Sequence, residues 1–154
     1  MYIHRHLEKS IHRTERMFPA LLVTGPRQAG KTTLLKVMKN DIAYVTLDDP
    51  IVLRAAREEA GTFFRTTQPP VIVDEIQYAP NLFPYIKMHA DETRGRGLFY
   101  LTGSQHFTMM KNIGESLAGR IGILNLLGLS MREINGVDFY EPFLPSGGYL
   151  EKRR

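Results

Sequence analysis

The chain contains no cysteine, which excludes disulfides, thiolate metal sites and cysteine nucleophiles together. That absence suits a reducing cytoplasm, the expected location. The first seventeen residues carry charges throughout and lack the apolar core of a signal peptide. No uncharged apolar run approaches the length of a membrane span, so no membrane partner is expected. Internal repeats and low-complexity tracts are missing as well. With 154 residues, 43% hydrophobic and 23% charged, the composition is that of one folded domain with a full core. The formal charge of +4 helps to attract a polyanion. A protein that holds a triphosphate has its own use for positive charge, however, so nucleic acid is not identified by it.

Apolar residues at Ile3, Leu7, Ile11 and Phe18 share one helical stripe, with His4, Arg5, Lys9, Arg13 and Arg16 largely off it. This predicts an amphipathic helix over 3–18, closed by Pro19. A short apolar run over 20–24 then reads as a strand, and a helix begins near Lys31 and continues to Asn40. A strand over 42–47 stops at Asp48-Asp49-Pro50, and a helix over 51–59 is ended by Gly61. Val71-Ile72-Val73 is a third strand. Helix over 82–90, strand over 98–102, helix from Phe107 to Leu117 and strand over 121–127 complete the order. Helices alternate with continuous apolar strands, the pattern of an α/β protein whose parallel sheet is covered on both faces. From 131 to 154, Asn135-Gly136, Pro142, Pro145 and Gly147-Gly148 interrupt any periodicity, which reads as a linker or tail with one short helix.

The chemistry concentrates at Gly25-Pro26-Arg27-Gln28-Ala29-Gly30-Lys31-Thr32-Thr33. This spelling matches the phosphate-binding loop G-x-x-x-x-G-K-[ST], and it stands between an expected strand and an expected helix. Chance produces the spelling in about half a percent of chains this long, and the strand-loop-helix setting lowers that further. Glycines let backbone N–H groups approach phosphates, and the helix N-terminus adds unpaired donors. Lys31 is expected to reach the β- and γ-phosphates of ATP, Thr32 to bind magnesium through its hydroxyl, and Thr33 to bond the α-phosphate.

Asp74 and Glu75 follow the third strand directly, at the end of a parallel sheet where ligands bind. Asp74 is the candidate magnesium ligand and Glu75 the candidate base for the attacking water. Thr102, Ser104 and Gln105 end the fourth strand, where a polar group can touch the γ-phosphate; Ser104 is the preferred residue, and local turn capping accounts for the same hydroxyls. Arg120 can stabilise charge on the transferring phosphoryl group, in its own site or a neighbour's, or be an exposed arginine after a glycine cap. His4, His6 and His12 cannot all face one way on a helix and read as solvated surface. Arg94 and Arg96 can meet a phosphate backbone, though two charges in a turn usually meet only solvent.

Taken in order, Gly25 to Thr33, Leu47-Asp48-Asp49-Pro50, Asp74-Glu75-Ile76-Gln77-Tyr78-Ala79-Pro80, Leu101-Thr102-Gly103-Ser104-Gln105 and Glu115-Ser116-Leu117-Ala118-Gly119-Arg120 resemble the prokaryotic AAA-type ATPases. In that family an N-terminal ATPase domain precedes a C-terminal domain of unknown function. The resemblance spans residues 2–134. It implies a three-layer P-loop NTPase fold with strand order 5-1-4-3-2, ATP as nucleotide, Lys31 and Thr32 as Walker A residues, and Asp74 and Glu75 as Walker B residues. It favours Ser104 as a sensor and Arg120 as a finger or phosphate-sensing residue. The expected organisation is an ATPase domain over 1–130, followed by a linker over 131–154 toward a further domain.

The leading expectation is therefore a magnesium-dependent ATPase acting as a switch or motor, with self-association able to supply an arginine in trans. A nucleotide-dependent module that binds protein or DNA with little turnover is the alternative. A small-molecule kinase fits less well, because a water-activating glutamate beside Asp74 suits hydrolysis and no acceptor-binding segment stands out.

Overall fold

Side chains that alternate along three central strands explain why helices cover both faces of the sheet. The computed structural model describes residues 2–104 and 107–134. Its strands are β1 (Ala20–Thr24), β2 (Ala43–Thr46), β3 (Val71–Asp74), β4 (Phe99–Gly103) and β5 (Ile121–Asn125). All pair in parallel in the order β2-β3-β4-β1-β5. This is the expected 5-1-4-3-2 arrangement read from the other edge. The helices are α1 (Leu7–Glu15), α2 (Lys31–Met38), α3 (Pro50–Glu58), α4 (Ala60–Thr66), α5 (Phe83–Thr93), α6 (Phe107–Ser116) and α7 (Met131–Ile134). Two 3-10 turns, Ile76–Tyr78 and Pro80–Leu82, link β3 to α5.

On one face, Leu21, Val23, Ile72 and Tyr100 pack with Ile11 of α1 and with Leu34 and Leu35 of α2. On the other, Ala20, Leu22, Val71, Val73, Phe99 and Leu101 pack with Phe63, Phe83, Ile86 and Ile113 of α4, α5 and α6. Every residue of β1, β3 and β4 is buried, whereas the edge strands β2 and β5 are partly exposed. A strand buried on both faces has no polar side to alternate with, which is why the central runs are continuously apolar.

Two helices differ from the sequence reading. Only the middle of the expected 3–18 helix is helical, because Glu8 accepts from the Arg5 N–H at 2.8 Å and the Arg5 side chain is drawn away into the protein. Gly61 does not end a helix. The break comes at Glu59 (φ −133°, ψ 51°), and a separate α4 turns Ala60 and Phe63 into the core. A Cβ on Gly61 would lie 3.3 Å from the Tyr85 ring, so this glycine permits close packing inside α4. Asp49 caps α3 by accepting from Ile51 N at 2.8 Å, with Pro50 at the first helical position.

Helix α1 lies against β5 through Gly122, where an added Cβ would meet Thr14 Cγ2 at 2.1 Å and Phe18 Cδ2 at 3.1 Å. Gly114, inside α6, has nothing within 4 Å of that position. Gly122→Ala should therefore destabilise the fold by about 1–3 kcal/mol through overpacking. Gly114→Ala should stabilise it by about 0.5–1 kcal/mol through helix propensity. Urea denaturation of the two variants should show opposite signs.

Candidate nucleotide-binding site

The loop Gly25 to Gly30 leaves the C-terminal end of β1 and enters α2, as the sequence predicts. Gly25 has φ 147°, and a Cβ there would stand 2.1 Å from the Leu126 carbonyl oxygen, so no other residue fits without moving the backbone. Gly30 caps α2 in the left-handed region at φ 90°. Gln28 takes φ 61° between them, a conformation unusual for a side-chain-bearing residue. The loop thus ends on the N-terminus of α2, where N–H groups lack intrahelical partners. Arg27, Gln28, Gly30, Lys31, Thr32 and Thr33 line a cavity of about 510 Å³ that Asp48, Glu75 and Tyr78 complete.

Lys31 is 7% exposed, and its Nζ donates to the carbonyls of Gly25 at 3.1 Å and Pro26 at 2.9 Å. Burial pulls its ammonium below the usual lysine range, while the nearby Glu75 and Asp74 carboxylates work against that shift.

Register places Asp74 at the tip of β3, opposite Thr46 of β2. Its carboxylate collects hydroxyls from three elements. Oδ1 accepts from Thr32 Oγ1 at 2.7 Å and from Thr102 Oγ1, and Oδ2 accepts from Tyr44 at 3.1 Å. A hydroxyl and a carboxylate that converge in this way suit a hard cation such as magnesium, which takes oxygen ligands and keeps most of its own water. Thr102 is fully buried and also accepts from the Glu75 N–H at 3.1 Å. Its hydroxyl is therefore committed to the two acidic residues and is not free for phosphate. Tyr44 and the structural part played by Thr102 are not legible in the sequence, because both depend on strand register.

Glu75 adopts φ 59°, ψ 45°, the left-handed region. For a residue with a Cβ this costs on the order of 1–3 kcal/mol and is typical of residues held for a purpose. Gln77 Nε2 donates to its Oε2. Ser104 follows β4, whose Gly103 pairs with Thr24 at the start of the loop. Its Oγ is buried and has no hydrogen-bond partner among the described residues. Gln105 lies outside the described residues.

Arg120 is not at this site. It precedes β5, and its carbonyl accepts from Ala20 N at the first residue of β1. The loop leaves the other end of these parallel strands, roughly 16 Å away for five residues of strand. Its guanidinium is held by Asp91 of α5 through Nε–Oδ1 at 2.6 Å and Nη2–Oδ2 at 3.1 Å. A role for Arg120 in its own chain's phosphate site is thus corrected by topology. Elsewhere, the exposed His4 and His12 pair with the mostly buried Glu8 and Glu15 of α1. Arg94 closes α5 in the left-handed region, and Arg96 donates to the Met17 carbonyl.

Sequence reading also misses Arg5. This side chain, 9% exposed, donates through Nη1 to the Ala29 carbonyl of the loop at 3.0 Å and through Nη2 to the Leu127 carbonyl at 2.7 Å. Its Nε bonds Glu133 of α7 at 3.3 Å. The partners lie 24, 122 and 128 residues away, so no local spacing announces them.

Fold and loop together define a P-loop domain with the acidic end of β3 beside the loop. The AAA domain family model matches residues 17–135, and the chain belongs to that family. Uncharacterized proteins of Mycobacterium tuberculosis (Rv2008c) and Mycobacterium bovis (Mb2031c) are each 32% identical over 129 residues, covering 83% of this chain and 28% of theirs. The chain thus spans less than a third of the length of these relatives. Among solved structures, a DNA replication initiation factor aligns with TM-score 0.54 at 16% identity over 78% of this chain and 43% of its own. The Aeropyrum pernix ORC2 protein in its ADP form aligns with TM-score 0.55 at 15% identity over 88% of this chain and 51% of its own. These two likenesses concern the fold. Among the described residues, no helix is long and apolar enough to cross a membrane.

Glu133 is 6% exposed and supplies a pH test of the Arg5 bridge. Burial alone would raise its pKa, but the N–H groups of Ser130 and His6, the Ser130 hydroxyl and the Arg5 charge outweigh burial and lower it from 4.5 to about 2. A depressed carboxylate pKa contributes stability that is fully present above about 4.5 and lost as pH falls toward about 2. Glu133→Gln should therefore be less stable than the parent at pH 7 and should lose less on acidification across that window. Thermal melts of both proteins between pH 7 and 2.5 provide the comparison.

Proposed function

We propose that this chain binds ATP with magnesium at Gly25 to Thr33 and hydrolyses it, using the energy for a conformational change. The observation that carries the reading is the 2.7 Å hydrogen bond between Thr32 Oγ1 of the loop and Asp74 Oδ1. It joins the glycine loop to the acidic strand end, the two parts that hydrolysis would need side by side. Lys31 would exchange its bonds to the Gly25 and Pro26 carbonyls for β- and γ-phosphate oxygens. Thr32 and Asp74 would hold the magnesium, which when bound neutralises charge on the β- and γ-phosphates. Glu75 would orient the attacking water and accept its proton as the new P–O bond forms and the bond to the β-phosphate oxygen breaks. Ser104, whose hydroxyl has no partner among the described residues, would sense the γ-phosphate. A cytoplasmic location, with its ATP supply, fits this use.

A second reading draws on the position of Arg120. With that arginine paired to Asp91 at the far end of the sheet, an isolated subunit has no finger from this position. Arg120 would then serve a neighbouring subunit, and a lone subunit would act as a nucleotide-dependent module for a protein or DNA client with little turnover. Hydrolysis per subunit that rises with protein concentration, and loses that rise in Arg120→Ala, supports the finger in trans. A rate independent of concentration contradicts it.

Glu75→Gln should retain ATP affinity within about twofold and lose hydrolysis by roughly 100-fold or more, a typical loss for a general base. Lys31→Ala should weaken ATP binding itself by tenfold or more. Calorimetric binding and phosphate release measured on the same preparations separate the two effects. Hydrolysis by Glu75→Gln at the parent rate would remove Glu75 from the mechanism.

A further inference from the structure

The amide of Gln77 is spent on the carboxylate of Glu75. Gln77 sits in the middle of the Ile76–Tyr78 turn, immediately after β3 and the two acidic residues. The turn is rigidly set. Ile76 is fully buried, Tyr78 N donates to the Glu75 carbonyl at 3.1 Å, and Ala79 N donates to the Ile76 carbonyl at 3.1 Å. Arg57 of α3 donates to the Tyr78 carbonyl at 2.8 Å, and Asn81 donates to the Ala56 carbonyl at 2.8 Å, which fixes the segment against α3. From this support Gln77 Nε2 donates to Glu75 Oε2. A carboxylate only accepts, so the amide must present its nitrogen. The other end, Oε1, is buried with no partner among the described residues. A glutamine that leaves its carbonyl unpaired in order to keep this bond is incurring a cost at Oε1.

Glu75 is held in the left-handed region, and its side chain borders the phosphate cavity. With Oε2 occupied by the amide, Oε1 is the carboxylate oxygen left for water. We infer that Gln77 is a positioning residue for hydrolysis, clamping the Glu75 carboxylate so that one defined oxygen is offered to the attacking water. The clamp removes rotamer freedom that would otherwise be lost on reaching the transition state. Gln77 needs no contact with nucleotide for this, and so it acts on the chemical step and not on binding. The inference rests on Glu75 being the base.

Gln77→Met keeps the side-chain length and removes the donor. Single-turnover hydrolysis with protein in excess should fall about 10- to 100-fold, while the Kd for a fluorescent ATP analogue, which also reports folding, stays within about twofold. Placed on Glu75→Gln, the same substitution should cause no further loss. Gln77→Glu, which preserves size and polarity but opposes a second carboxylate to Glu75, should show the same loss of rate with binding retained and serves if the methionine variant fails to fold. A parent-like rate in either folded variant, or an equal further loss on Glu75→Gln, overturns the inference. If Glu75→Gln hydrolyses ATP like the parent, the reading of Glu75 fails. An inactive Glu75→Gln beside a fully active Gln77→Met rejects only the clamp.

Discussion

Asp74 carries a carboxylate at the tip of a central strand with only 6% of its surface exposed. A buried charge left without partners is expensive. Three hydroxyls meet it, and each belongs to a different element: Thr32 to α2, Thr102 to β4 and Tyr44 to β2. Satisfying one carboxylate therefore sets the start of α2 against the sheet and locks the ends of β2, β3 and β4 together. Glu75 follows from the same arrangement, because Thr102 also accepts its N–H. Thr32 and Glu75, both in the cavity lining, thus take their places from this one charge.

The loop itself is anchored from two sides. Gly25 touches the Leu126 carbonyl so closely that only glycine fits, and Arg5 holds the Ala29 carbonyl while reaching Leu127 and Glu133. The N-terminal segment, the phosphate loop and α7 thus share one guanidinium. Arg120 lies at the opposite end of the sheet, held by Asp91. The phosphate loop and Arg120 therefore stand at opposite ends of the sheet.

Much of this was legible in the residues because the physics behind it is local. A phosphate loop needs glycines at fixed spacing, and a strand buried on both faces needs an unbroken apolar run, so Gly25 to Thr33 and Val71 to Asp74 were readable, while the strand order came only from the family resemblance. What escaped depends on contacts far apart in the chain. Arg5 looks like one more charge off the apolar stripe until its partners 122 and 128 residues away are known. Gly61 reads as a helix terminator, yet it accommodates the Tyr85 ring inside α4. Thr102 reads as a phosphate contact but is committed to Asp74 once register is set. Arg120 carries the same lesson, since a motif names a residue without saying at which end of a strand it stands.

The central claim is that Thr32 and Asp74 open their shared hydrogen bond to take up magnesium beside a triphosphate held on Lys31. The most direct measurement is a crystal structure of the chain with magnesium and a non-hydrolysable ATP analogue. The account predicts phosphates within the loop from Gly25 to Thr33 and the metal ligated by the Thr32 hydroxyl, with Asp74 bound to it directly or through one water. An analogue seated elsewhere, or a metal remote from both Thr32 and Asp74, would contradict it.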